Sequence, residues 1–143
     1  MNITIRPMTI ADYDGVYRLW SVTEGLSLID DDNREGIARY LQRNVGLCFV
    51  GVDGKEIVGT VLCGHDGRRG ILRHLAVAGN YRKQGIARRL VRACLDALAA
   101  AGVTKCNIYV MDYHADGFRF WEHLGAKLQN YDWRTFQLPT TSP

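Results

Sequence analysis

Short apolar runs alternate along this chain with longer amphipathic stretches, and their periods separate strands from helices. Ile3 and Ile5 alternate with polar neighbours and Pro7 closes the run, so residues 2–6 read as a short strand. Val16, Leu19 and Trp20 then share one helical face, with Thr9 or Asp12 available as the cap. Residues 21–33 are polar and loop-like. They hold Asp30, Asp31 and Asp32, any of which can start a second helix with Ile37, Tyr40 and Leu41 facing inward. Two apolar runs, 47–52 and 56–63, are joined by Asp53-Gly54, a strong hairpin signal. A turn over 64–70, containing Asp66-Gly67, leads into a third run that ends at Val77.

Three antiparallel strands in a row are therefore expected. From about Gly85, the residues Ile86, Leu90, Val91, Cys94, Leu98 and Ala101 recur at helical spacing, and Gly102 suits the C-cap. Residues 106–110 read as a buried-type strand, and the intervening helix allows it to lie parallel to the preceding one. A shorter helix carries Phe120, Trp121 and Leu124 on one face and stops at Gly125. Residues 126–138 suggest a last hairpin around Tyr131-Asp132. The order strand, helix, helix, three strands, helix, strand, helix, strand, strand predicts a mixed α/β sheet.

Composition narrows this reading without redirecting it. With 143 residues, one domain over 1–143 is expected, large enough to bury roughly 68–70% of its unfolded surface. A net charge of +3 is too mild to argue for a nucleic-acid partner, and the basic residues cluster at Arg68, Arg69, Arg73 and from Arg82 to Arg92, which suits a local anionic ligand. No apolar stretch approaches the ~20 residues of a membrane span. The four cysteines, Cys48, Cys63, Cys94 and Cys106, lie in or beside apolar runs without a C-x-x-C pair, which reads as core thiols in a reducing compartment rather than a zinc site. The N-terminus lacks the apolar core of a signal peptide, so a cytoplasmic location is expected, with no membrane partner.

The most informative segment is Arg82-Lys83-Gln84-Gly85-Ile86-Ala87, set between the strand-like run ending in Leu75, Ala76 and Val77 and the long helix pattern. The first N–H groups of a helix have no internal partner and the helix dipole adds positive character there, so a strand that turns into a helix through such a loop makes an anion site. Gly85 permits close backbone approach, while Arg82, Lys83 and Arg88 add full charges. The segment is neither G-x-x-x-x-G-K-[ST] nor G-x-G-x-x-G.

Written R-x-x-G-x-A after a strand and before a helix, the segment resembles the acetyl-CoA pyrophosphate loop of the GNAT N-acetyltransferase superfamily. The element order resembles that fold over nearly the whole chain, and Phe120-Trp121-Glu122-His123-Leu124-Gly125-Ala126 looks like the family's F-Y-x-x-x-G-F segment. Small bacterial members of unassigned substrate also resemble the chain around residues 64–70. The resemblance implies a mostly antiparallel central sheet with helices on both faces, its fourth and fifth strands parallel and splayed.

It also implies transfer of the acetyl group of acetyl-CoA to a primary amine, by direct attack in a ternary complex. On the resemblance, residues 82–88 hold the diphosphate, while Leu75, Ala76 and Val77 lie along the pantetheine, with the Val77 N–H on the thioester carbonyl. Where many relatives carry an acid three residues before the valine, this chain has His74, and a histidine can act as the base directly or through water. Tyr109 stands where some relatives use a glutamate. Asp66 and Asp30–Asp32 are further carboxylates for a cationic acceptor, against the plainer reading as turn and cap residues.

Three positions depart from the family pattern. Trp121 replaces the tyrosine that protonates the leaving sulfur; on the resemblance it can hydrogen-bond that sulfur or pack on the pantetheine, but an indole N–H cannot serve as the acid. His114 replaces an asparagine on the pantetheine, and Gly79 a proline. Tyr113, His114 or water are left as proton donors. The Trp121 replacement also motivates a second reading, a CoA-binding module without catalysis. A third, a nucleotide-binding α/β protein, lacks its motifs. Many relatives are dimers, which leaves a homodimer open; the acceptor is a small-molecule or peptide amine of undetermined identity.

Overall fold

The computed structural model describes residues 2–141. Its sheet has five strands in the order β1-β2-β3-β4-β5: β1 Ile3–Pro7, β2 Phe49–Asp53, β3 Glu56–His65, β4 Gly70–Val77 and β5 Cys106–Ile108. The first four pair antiparallel, and β4 pairs β5 in parallel, as expected across a helical crossover. The helices are α1 Tyr13–Ser21, α2 Arg34–Arg43, α3 Ile86–Ala100 and α4 Ala115–His123.

Side-chain alternation along β2 and β3 assigns α1 and α3 to opposite faces of the sheet. Val50, Val52, Leu62 and Ala76 enter one cluster with Val16, Leu19 and Trp20 of α1 and Ile37 of α2. The opposite face carries Gly59, where an added Cβ would stand 3.0 Å from Leu90 and 3.1 Å from Ile86 of α3. That missing side chain lets α3 pack close to β3.

Three sequence expectations change. Helix α2 is capped by Asn33, whose Oδ1 accepts the Gly36 N–H at 2.8 Å, while Asp30–Asp32 form a short 3-10 turn ahead of it. A side-chain cap removes the need for an aspartate at the first helical residue. Strand β5 is limited to Cys106–Ile108 and exposes Asn107, so it is shorter and wetter than a buried run over 106–110. The expected hairpin over 126–138 is absent: residues 126–141 form no strand, and Trp133, Phe136 and Leu138 are exposed. The chain divides into two compact units, one ending at Met111 and one beginning at Asp112. Of the cysteines, Cys48, Cys63 and Cys94 are buried and Cys106 is half-buried; burial pushes the Cys48 thiol up to about 11, so it remains protonated.

Candidate active site

The segment after β4 is built to leave backbone donors free. Val77 is followed by a 3-10 turn over Gly79–Tyr81, and Tyr81 is buried with its hydroxyl donating to Asp53 Oδ2 at 2.6 Å. That bond pushes the Tyr81 hydroxyl up to about 12 and ties the loop to the β2–β3 hairpin. Lys83 and Gly85 then both take left-handed backbone conformations, φ 61° and 80°. The Arg89 N–H closes the first helical bond onto Gly85 O at 3.0 Å. Among the described residues, no N–H from 83 to 88 donates to a protein acceptor. Successive amides turned the same way by left-handed residues, at the positive end of a helix, form an anion-binding concavity.

The side chains of this loop divide into anchors and free ends. Ile86 is buried against β3, so only its backbone faces the concavity, and Ala87 is half-buried. Lys83, Gln84 and Arg88 are exposed. Arg82 is exposed as well, but its Nε donates to Val77 O at 3.2 Å, so the guanidinium closes the loop back onto β4. Farther along α3, Arg89 donates to Ile3 O at 2.9 Å and Arg92 pairs with Asp96 on the surface.

Strand β4 loses its outer partner halfway along. Its ladder with β5 ends at Leu72↔Ile108. On the other side, the Ala78 N–H bonds Val58 O at 2.9 Å, and alternation makes Ala76/Thr60 the next bonded pair and Val77/Gly59 an unbonded one. The Val77 N–H therefore points away from β3, along the edge that β5 has left. Ala76 is buried in the α1 face of the core.

His74 sits at a bulge. Between the pairs Thr60↔Ala76 and Leu62↔Arg73, one residue of β3 faces two of β4, His74 and Leu75. His74 has φ 53°, the left-handed region that a residue with Cβ enters rarely. Two bonds hold it there. Thr60 Oγ1 donates to His74 O at 3.0 Å, and itself accepts the Trp20 indole N–H at 3.0 Å. The ring, turned out by the bulge, meets Trp20 edge-on at 4.8 Å, and its Nε2 lies 2.9 Å from Asp32 Oδ2. Asp32 is buried, and the same oxygen accepts the Ile29 N–H at 2.9 Å. Asp30 and Asp31 remain exposed.

The other candidates lie in plainer surroundings. Tyr109 is 71% exposed, with the Arg73 guanidinium 5.7 Å above its ring. Asp66 accepts the Arg68 and Arg69 N–H groups, and these bonds hold its carboxyl below the usual range, as befits a turn residue. In the second unit, Tyr113 is exposed, His114 occupies the N-cap position of α4, and Trp121 is half-buried edge-on to Phe120 at 5.0 Å. Sequence reasoning named Asp32 only as one of three acidic residues and Trp20 only as part of an apolar helix face, and passed over Thr60 and Tyr81. The buried run holding Thr60 carried a hint, because a hydroxyl there needs a partner.

Fold and loop together define a mixed-sheet α/β protein with an anion-receiving helix start beside a strand edge left open by its neighbour. Residues 13–126 match the family model described as Acetyltransferase (GNAT) family, and the chain belongs to that family. Acetyltransferase SG1711 of Sodalis glossinidius (strain morsitans) is 30% identical over 126 residues, 88% of each chain. The fold is that of the PaiA N-acetyltransferase from Thermoplasma acidophilum, solved in complex with coenzyme A (TM-score 0.80, 19% identity, 92% of this chain and 94% of that one). Ard1 from Thermoplasma volcanium is similar too (TM-score 0.78, 16% identity, 91% and 86%). The protein is thus an acetyltransferase whose acetyl donor is acetyl-CoA. None of the described helices is long and apolar enough to cross a membrane.

Proposed function

We propose that the protein is an N-acetyltransferase that passes the acetyl group of acetyl-CoA directly to a primary amine within a ternary complex. The observation that carries this reading is the run of N–H groups from 83 to 88 without acceptors among the described residues. A diphosphate suits it: the backbone at Gly85 is open, with nothing within 4 Å of where a Cβ would stand. Lys83, Gln84 and Arg88 surround the concavity, and Arg82 secures it. When bound, acetyl-CoA supplies an activated thioester. The Val77 N–H, turned from the β3 ladder, is the donor for a carbonyl oxygen on which negative charge develops, usually a large term in acyl transfer.

The amine must be neutral to attack, and His74 is the base we assign for removing its proton. Asp30 and Asp31 offer negative charge to a cationic acceptor. Tyr113, His114 or water would return a proton to the thiolate, since Trp121 cannot. A thiol of pKa near ~8.5 is a fair leaving group without full protonation. We read residues 1–143 as one functional domain working in the cytoplasm, with a homodimer left open.

The test is release of free CoA thiol from acetyl-CoA across a panel of primary amines: polyamines, aminoglycosides and peptide N-termini. Amine-dependent release with acetylated product carries the reading. Binding of acetyl-CoA with no release by any amine would favour the non-catalytic module, which Trp121 in place of tyrosine makes the second reading.

A further inference from the structure

We infer that Asp32 is a positioning residue. Its carboxylate fixes neutral His74 as the Nε2–H tautomer and leaves Nδ1 as the atom that takes the acceptor's proton. This rests on the reading of His74 as the base, and goes beyond it by naming the reacting atom and the residue that selects it.

The argument starts at Asp32. A carboxylate only accepts hydrogen bonds, so at 2.9 Å it requires the proton of the neutral ring on Nε2 and puts the lone pair on Nδ1. Asp32 is itself held from two directions: Oδ2 accepts the Ile29 N–H at 2.9 Å, and its carbonyl accepts the Tyr13 hydroxyl at 2.7 Å. Its side chain is 8% exposed and that of His74 13%, so water competes weakly for the bond. The histidine backbone is fixed independently by Thr60.

Among the described residues, Asp32 is the one charged group bonded to the ring; Trp20 of α1 supplies a neutral edge-on contact, and Thr60 of β3 bonds the backbone carbonyl. Nδ1 has no hydrogen-bond partner among the described residues, and it is not one of the buried atoms that lack one. It therefore keeps some exposure to solvent, and it is the ring nitrogen left without a protein partner for an acceptor's proton. An ammonium N–H bond breaks, its electron pair stays on the amine, and the proton joins the Nδ1 lone pair. The resulting imidazolium keeps its second N–H on Asp32.

Nitrogen-15 spectra of the histidine rings in the apo protein at alkaline pH read the tautomer without any substrate. The expected result is a His74 ring fully protonated at Nε2, with an exchange-protected proton that disappears in Asp32→Ala. A ring protonated at Nδ1, or a protected Nε2 proton that survives Asp32→Ala, overturns the proposal. With an amine that the wild type acetylates, Asp32→Ala should lower kcat by about 10- to 100-fold, with KM for acetyl-CoA unchanged. An unchanged kcat also overturns it. If Asp32→Ala does not fold, the wild-type spectra decide alone: an Nε2–H ring on His74 carries the proposal and an Nδ1–H ring overturns it. Failure of the underlying reading is seen separately: His74→Gln would then turn over like the wild type, whatever tautomer the spectra report.

Discussion

At residue 74, two demands meet that a single side chain seldom satisfies together. The bulge places a left-handed backbone there, for which glycine is best suited, while the base we propose is an imidazole. A Cβ in that conformation costs on the order of 1–2 kcal/mol, and Thr60 and Trp20 hold the strained residue in place. The two demands separate by mutation. His74→Gly and His74→Ala both remove the ring and its bond to Asp32, but only glycine relieves the backbone. We expect His74→Gly to be more stable than His74→Ala by about 1 kcal/mol in urea denaturation, with both inactive in amine acetylation. Equal stabilities would mean that the left-handed backbone at this position carries no strain.

At the scale of elements, the loop between β4 and α3 depends on one tether outside itself. Tyr81 donates to Asp53 at the end of β2, two elements away in sequence. Tyr81→Phe removes that hydroxyl and little else. It should lower stability in urea denaturation, and it should raise KM for acetyl-CoA while leaving kcat near its original value, since the tether acts on the loop proposed to bind the diphosphate. A fall in kcat at constant KM would place the tether's effect elsewhere. This tether also marks how far sequence reasoning reached. Strands β1 to β4, the α3 repeat and the R-x-x-G-x-A loop were legible because periodicity, glycine and charge are local signals. The Asp53–Tyr81 bond, the Asp32–His74 pair and the bulge join residues that only the folded sheet brings together. The hairpin over 126–138 failed for a related reason. Alternating Tyr131 and Trp133 state a preference for extended backbone, but a strand exists only when a neighbour completes its ladder. In the folded chain these two rings stack on each other at 3.8 Å.

For the whole molecule, occupancy of the amide concavity must appear as global stability, because a ligand that binds only the folded chain shifts unfolding by mass action. At a hundredfold excess over Kd the gain is about 2.7 kcal/mol, and each further tenfold in ligand adds about 1.4 kcal/mol. For a chain of 143 residues this corresponds to a rise in Tm of roughly 10 °C at the first concentration. The ligand series tells which part of the molecule is responsible. Acetyl-CoA and CoA should both raise Tm, because both carry the diphosphate that the 83–88 amides would receive. S-Acetyl-pantetheine, which has the thioester and the arm but no diphosphate, should leave Tm nearly unchanged at the same concentration. ATP and NAD carry phosphates without the arm that would lie along the open edge of β4, and a nucleotide-binding protein is the reading under which they would stabilise as well as CoA. A thermal shift given equally by S-acetyl-pantetheine and acetyl-CoA would move the main source of affinity from the helix start to the strand edge, and Gly85, Lys83 and Arg88 would lose the role assigned to them.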